Sequence, residues 1–157
     1  MAVTSGRTIK IDCDGAKNPS DASAGFVIRS WNGSFILAGA RFLKQAPILV
    51  AEVTAVRDGL KTALEAGYRR NKVEGDNQVV IRVIQARATP PWQIAIIIED
   101  IRNLIEGCED ISFKHIYREG NMVANWVAKY VCTIRSTSLS YFPYPSSRDF
   151  LYILADD

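Results

Sequence analysis

Residues 8–14 alternate apolar and polar side chains, and they constrain the fold more than any other part of the sequence. Ile9, Ile11 and Cys13 would lie on one face of an extended segment, and the polar residues between them on the other. Asp14 closes the segment directly before a glycine. The pattern predicts a β-strand with one apolar face and with a carboxylate at its C-terminal end.

The dipeptide Asn32-Gly33 separates two further apolar runs and is the strongest short hairpin signal in the chain. It predicts strands at 24–31 and 34–42, which complete an antiparallel meander. Helical spacing and turn signals then predict helices at 47–66, 77–85, 91–106 and 120–133. Two more strands are predicted between them, at 71–75 and 111–117. Since helical crossovers favour parallel pairing, we predict an α/β fold. Its mixed five-stranded sheet has three antiparallel strands, then two parallel ones, and is flanked by helices.

The 157 residues fit one domain, predicted to span 1–157. We place its core at about 8–133 and an aromatic, Pro-rich tail at 134–157, with a short helix near 147–154. The three tryptophans lie within predicted elements and are assigned to the core. No apolar run is long enough to span a bilayer, and the N-terminus lacks the apolar core of a secretory signal.

The three cysteines are widely scattered, with no zinc or redox spacing, which favours an intracellular location in the nucleus or the cytoplasm. The net charge of +2 gives little support for a polyanionic partner, because phosphate binding needs local clusters of cations. We expect a monomer that does not bind membranes.

Three acidic residues form a candidate metal site. Asp14 and Asp76 end the first and fourth predicted strands, so parallel pairing would place both carboxylates at one edge of the sheet. Glu52 lies beside the apolar stripe of the first helix, where a carboxylate is costly to bury without a positive partner. Oxygen ligands favour Mg²⁺ or Mn²⁺, and two such ions about 4 Å apart can drive phosphodiester hydrolysis.

Each carboxylate also has a structural explanation. Asp14 precedes Gly15 and is typical of a turn, while Asp76 is well placed to cap the next helix. Glu52 can reach water from the edge of its stripe. The three residues by themselves therefore leave open whether they form a metal site or serve these local roles.

Four segments resemble ribonuclease H domains in content and order. They are Asp14-Gly15-Ala16, Ala51-Glu52, Val73-Glu74-Gly75-Asp76-Asn77 and the segment 115–125, which reads His-Ile-Tyr-Arg-Glu-Gly-Asn-Met-Val-Ala-Asn. The likeness is greatest to the plant, retroelement-derived, reverse-transcriptase-like branch and covers roughly residues 8–157. Each segment alone is a weak signal, whereas the combination is specific.

The resemblance implies a two-magnesium nuclease that cuts the RNA strand of RNA–DNA hybrids, with Asp14, Glu52 and Asp76 holding the metals. The family's fourth acidic position falls at Asn125. An amide oxygen can ligate Mg²⁺ but brings no negative charge. We expect weaker binding of one ion and reduced or lost cleavage. The alternative is that Asn125 is an ordinary polar helix residue in a degenerate copy of the domain.

The same resemblance suggests auxiliary residues. His115 is the only histidine and is either a satisfied strand residue, which we favour, or a catalytic helper that handles a proton. Asn18, Asn77 and Arg118 are candidates for contacts with the nucleic acid, where the RNA 2′-hydroxyl is the distinguishing group.

Three functions remain open from the sequence. The first is the metal-dependent endonuclease acting on hybrids. The second is a retroelement-derived domain that keeps the fold, and with it nucleic-acid binding, without cleavage. The third is another nuclease of this fold acting on single strands or junctions, because the fold alone does not determine the substrate.

Overall fold

A computed structural model of the chain describes residues 6–86 and 88–142, without the side chains of Arg118 and Glu119. The strands are β1 (Ile9–Lys17), β2 (Ala22–Arg29), β3 (Phe35–Phe42), β4 (Arg70–Gly75), β5 (Asp110–His115) and β6 (Ser140–Phe142). The helices are α1 (Ile48–Glu65), α2 (Gln78–Ile84), α3 (Ala95–Ile105) and α4 (Met122–Ile134), with short 3₁₀ turns at Trp92–Ile94 and Arg118–Asn121.

The strands form one mixed sheet in the order β5-β4-β1-β2-β3-β6. The meander β1-β2-β3 is antiparallel, and β4 and β5 add in parallel beside β1. This confirms the predicted α/β fold.

The predicted number of strands is wrong, because within residues 6–86 and 88–142 the sheet has six strands rather than five. The sixth, β6, lies in the tail and pairs antiparallel with β3. A segment of three residues is too short to show an alternating pattern, so only its pairing with β3 makes it a strand. The helix predicted near 147–154 lies outside the described residues.

Helices cover the two faces of the sheet unequally. One face carries Ile11 and Phe26 and packs against α1, which in turn packs against α3. On the other face Val27 packs against Val127 of α4, which lies over β2 and β3. Since β2 is buried on both faces, its sequence is almost continuously apolar rather than alternating.

Two tryptophans assigned to the core are exposed. Trp31 follows β2 and is 58% exposed, and Trp92 in the turn before α3 is 84% exposed. The helical repeat of α3 directs Ile98 and Ile101 inward instead. Trp126 does pack against the apolar cluster under α4, where its ring stacks on Tyr130. Among the described residues, no helix combines the length and hydropathy that a membrane span requires.

Candidate metal centre

Three carboxylates meet at one edge of the sheet. Asp14 lies within β1 rather than at its end as predicted, because β1 continues to Lys17 in its pairing with β2. Asp76 directly follows β4, and Glu52 lies in the first turns of α1. One oxygen from each lies within 4.8 Å of the others. Because Cys13 pairs with Gly75 in the parallel ladder, the residues that follow them emerge together. The parallel pairing predicted from the sequence therefore brings the three candidates to one place.

A close approach of α1 to β1 positions Glu52. A Cβ atom added at Gly15 would lie only 2.7 Å from the backbone nitrogen of Glu52 and 2.9 Å from Cβ of Ala51. Gly15 lies within β1, paired with Ala24, and it allows the helix to reach the strand. Asp14 is 2% exposed and Glu52 is 8% exposed. Buried, adjacent carboxylates repel each other, so a bound cation would stabilise them.

The donor set fits a hard divalent cation. All three groups offer carboxylate oxygens, and neither cysteine sulfur nor histidine nitrogen belongs to this cluster of described residues. Such ligands suit Mg²⁺ or Mn²⁺ better than Zn²⁺. Asp14, Glu52 and Asp76 are thus the residues that would hold the metal.

Asn125 reaches the same centre from α4. Its amide nitrogen Nδ2 donates to Oδ2 of Asp14 at 2.6 Å. Two contacts hold α4 there: Asn121 Nδ2 donates to the Cys13 carbonyl at 2.7 Å, and Gly25 lets the helix backbone lie directly on β2. Asn125 therefore meets Asp14 through a hydrogen-bond donor, and metal ligation through its oxygen remains a prediction.

His115 ends β5 beside Asp76. Its Nε2 atom lies 3.2 Å from the Asp76 carbonyl oxygen. A carbonyl only accepts, so the hydrogen bond places a proton on Nε2. The ring also packs edge-on against Tyr117. These contacts are those of a satisfied strand histidine, while a part in proton transfer remains a prediction.

The two candidate asparagines both stabilise the local backbone. Asn18 Oδ1 accepts from the backbone nitrogens of Ser20 and Asp21 in the β1–β2 loop. Asn77 Oδ1 accepts from Val80 N and caps α2, so the cap predicted at Asp76 is in fact its neighbour. Contacts of Asn18, Asn77 and Arg118 with nucleic acid remain predictions, and the Arg118 side chain lies outside the described atoms.

A buried ion pair lies two residues before Asp14. Asp12 Oδ2 accepts from Arg29 Nε at 3.2 Å. Burial raises the pKa of Asp12 from 3.8 to about 6, although the charge of Arg29 opposes the rise. The alternation in the sequence places Asp12 on the same face of the strand as Asp14. Its pairing with Arg29 of β2 depends on the strand register, which the structure gives. Burial also raises the pKa of the neighbouring Cys13 thiol well above its ordinary value, which suits an inert core residue.

Solved ribonucleases H share this fold. RNase H1 from Halobacterium salinarum aligns with a TM-score of 0.77 at 23% identity, over 81% of this chain and 98% of its own. The N-terminal RNase H domain of a Mycobacterium tuberculosis protein aligns at 0.78 and 18% identity, over 83% and 96%. LC11-RNase H1, solved in complex with an RNA/DNA hybrid, aligns at 0.67 and 20% identity, over 78% and 94%. The fold is therefore that of a ribonuclease H-like domain.

The sequence identifies the branch. Residues 12–131 match the family described as "Reverse transcriptase-like", and the chain belongs to that family. A relative from Arabidopsis thaliana named "Putative ribonuclease H protein" is 29% identical in an alignment of 132 residues, and the match covers 80% of this chain. The chain spans only 21% of the length of that relative. The chain is thus a ribonuclease H-like domain of retroelement type.

Proposed function

We propose that this domain is a divalent-metal-dependent endonuclease that hydrolyses the RNA strand of RNA–DNA hybrids. The observation that carries the proposal is the meeting of Asp14, Glu52 and Asp76 within 4.8 Å at the edge of the sheet. Bound Mg²⁺ or Mn²⁺ ions, two in the arrangement we propose, would supply the charge stabilisation that phosphodiester hydrolysis requires.

The three carboxylates would bind the metal ions together. Asp14 from β1, Glu52 from α1 and Asp76 after β4 would hold the ions through their carboxylate oxygens. Because β1 and α1 pack through Gly15, two of the ligands are rigidly placed before any ion binds. His115 uses Nε2 to hold the Asp76 carbonyl, which leaves Nδ1 as the ring atom available to exchange a proton.

The substrate is proposed from chemistry and from the relatives. LC11-RNase H1 binds an RNA/DNA hybrid in its solved complex. In this chain Asn18 and Asn77 use their amide oxygens to hold the local backbone, so their amide nitrogens are the atoms that could donate to the nucleic acid. The 2′-hydroxyl distinguishes RNA from DNA at such a contact.

Asn125 favours a second candidate function, a domain that binds nucleic acid without cutting it. Its N–H group points at Asp14 Oδ2 at 2.6 Å, where a donor competes with a cation for the same oxygen. A neutral amide also leaves the centre with one negative charge fewer than a fourth carboxylate would give. The degree of cleavage therefore depends on this residue.

The two functions can be separated with a labelled RNA–DNA hybrid in Mg²⁺ and in Mn²⁺. We expect slow cleavage by the parent, none by Asp14→Asn, and an increase on the order of 10-fold for Asn125→Asp, since groups bonded to metal ligands carry effects of that size. Asn103→Asp adds the same charge at an exposed position of α3 and should leave the rate unchanged.

Three results would decide against the nuclease or its substrate. Cleavage that survives Asp14→Asn would rule out this metal centre. No cleavage by the parent together with cleavage by Asn125→Asp would identify a lapsed enzyme. Faster cleavage of single-stranded RNA or duplex DNA than of the hybrid would replace the proposed substrate.

A further inference from the structure

An exposed aromatic side chain lies beside the metal centre. Tyr117 follows the end of β5 by two residues and is 79% exposed. The last residue of β5, His115, pairs with Gly75, which directly precedes Asp76. Because adjacent strands lie about 4.8 Å apart, the strand end that leads to Tyr117 lies about that far from the strand end that carries Asp76.

The backbone around Tyr117 is held in place on both sides. Ile116 N donates to the Gly75 carbonyl at 2.8 Å, and Gly120 N donates to the Tyr117 carbonyl at 3.0 Å. The end of the same turn is tied to a carbonyl of β1 at the start of α4. Tyr117 therefore has a set position relative to β1 and β4, the strands that place two of the three carboxylates.

One side chain separates the Tyr117 ring from the metal centre. The ring packs edge-on against His115, with the ring centroids 5.8 Å apart and the ring planes at 73°. His115 Nε2 in turn lies 3.2 Å from the carbonyl oxygen of Asp76. Tyr117 is thus close enough to the carboxylates to contact a strand that is bound there.

The polar end of Tyr117 is available to a ligand. Within residues 6–86 and 88–142 its hydroxyl forms no hydrogen bond, while its ring contacts His115 and its carbonyl accepts from Gly120. Single exposed apolar side chains are common on protein surfaces, so the place of Tyr117 beside the carboxylates carries the inference. Tyrosine combines an apolar ring with a hydrogen-bonding tip, and together these suit a sugar–phosphate unit.

We propose that Tyr117 binds the nucleotide next to the phosphate held at the metal centre, with its ring against the sugar and its hydroxyl donating to a phosphate oxygen. The inference rests on the proposed function, since it names a further contact with the same substrate. One nucleotide advances about 3.4 Å along a strand, so a strand at Asp76 reaches β5 within one or two nucleotides. The contact would position the substrate and would take no part in the metal chemistry.

Fluorescence anisotropy with a labelled hybrid in Ca²⁺, which suits carboxylate oxygens, measures affinity while a gel confirms that the hybrid stays intact. We expect Tyr117→Ala to raise Kd on the order of 10-fold, as for other aromatic contacts with nucleic acid. The slope of log K against log salt should keep the parent's value, because tyrosine neutralises no phosphate. Tyr141→Ala removes an exposed tyrosine at the opposite edge of the sheet and should match the parent.

Tyr117→Phe separates the hydroxyl from the ring. This variant keeps the contact with His115, so a change in its affinity does not come from lost packing. We expect Kd to rise about 3-fold, as for the loss of one hydrogen bond. A single neutral methylphosphonate linkage, moved along each strand of the hybrid in turn, locates the partner. The difference between the parent and Tyr117→Phe should shrink at the contacted linkage.

Urea unfolding of Tyr117→Ala shows whether the ring acts through the fold. We expect the parent's midpoint, because the residue is exposed. If Tyr117→Ala bound weakly only together with a lower midpoint, and Tyr117→Phe matched the parent, Tyr117 would be a structural residue and the inference would be overturned.

Failure of the inference differs from failure of the proposed function. If the parent binds the hybrid and both Tyr117 variants keep its Kd, the contact is overturned and the nuclease proposal stands. If the parent does not bind the hybrid, the Kd for single-stranded RNA is compared between the parent and Tyr117→Ala. A higher Kd in the variant would support the nucleotide contact with another substrate, and equal or absent binding would overturn both proposals.

Discussion

Asn125 and Asp14 form the contact that most affects the chemistry of the metal centre. The Asn125 N–H group satisfies one oxygen of a carboxylate that is 2% exposed. A hydrogen bond to the charged form stabilises that form, so the amide compensates part of the cost of burial. The same contact reduces the attraction of Asp14 for a cation, so one residue links the stability of the unbound domain to its capacity to bind metal.

Asp12 should make folding stability depend on pH. Its raised pKa means that the folded protein favours the protonated carboxyl and binds more protons than the unfolded chain between about pH 4 and pH 6. Stability from this group is therefore lost as pH rises through that window. The difference between 3.8 and about 6 corresponds to roughly 3 kcal/mol at most.

Urea unfolding of the parent and of Asp12→Asn at pH 4 and pH 7 measures this effect. We expect the free energy of unfolding of the parent, relative to the variant, to fall by up to roughly 3 kcal/mol between the two pH values. Asp110→Asn, at an exposed position of β5, should follow the parent. If the free energy of unfolding changed equally in the parent and in Asp12→Asn between pH 4 and pH 7, the raised pKa of Asp12 would be contradicted.

At the scale of elements, two glycines bring the helices of the metal centre onto the sheet. Gly15 admits the start of α1, and Gly25 admits α4, where an added Cβ would lie 2.7 Å from Ala128 N. Both close contacts are with backbone atoms, which cannot move aside as a side-chain end can. The positions of Glu52 and Asn125 therefore depend on residues that contribute no side chain.

Gly15→Ala should destabilise the fold and weaken metal binding together. The added methyl group would push α1 from β1, at a cost of about 1–3 kcal/mol for an overpacked core. Gly75→Ala is the matched control, because Gly75 is also adjacent to an acidic ligand in the sequence but its added Cβ would make only ordinary contacts at 3.6 Å and beyond. Unfolding in urea and calorimetric titration with Mn²⁺ measure both effects, and equal behaviour of the two variants would refute the close-packing account.

At the scale of the whole molecule, the sheet gathers residues that are far apart in the chain. Asp14, Glu52 and Asp76 span more than 60 positions, yet three of their oxygens lie within 4.8 Å. Folding must offset the repulsion among them. We therefore expect metal binding and global stability to be coupled through this centre.

Asp76→Asn tests the coupling. Without metal it should stabilise the protein by about 1 kcal/mol, because one of the three repelling charges is lost. With Mg²⁺ at 100 times its Kd, the parent should gain about 2.7 kcal/mol, and the variant much less. Thermal unfolding with and without Mg²⁺, alongside Asp110→Asn, is the measurement. An equal Mg²⁺ shift in parent and variant would place the ion elsewhere.

Local patterns in the sequence were enough for most of the elements. The alternation before Asp14 and the turn at Asn32-Gly33 predicted the meander, because side-chain period and turn chemistry are short-range properties. They misplaced Trp92 and missed β6, whose burial and pairing depend on distant segments. The cap of α2 also fell on Asn77 rather than Asp76, a difference that backbone geometry alone decides.

By itself, then, the sequence predicted the order of the described strands and helices except β6, because side-chain period and turn chemistry are local. It named the three carboxylates as candidates from spacing, and the family resemblance then favoured them over local structural roles. The tertiary structure decided their convergence at one edge, the donor contact from Asn125 to Asp14 and the pairing of Asp12 with Arg29. These depend on strand register and on helix-to-sheet distance. Both are set by long-range packing, in which a shift of one residue would turn a side chain to the opposite face.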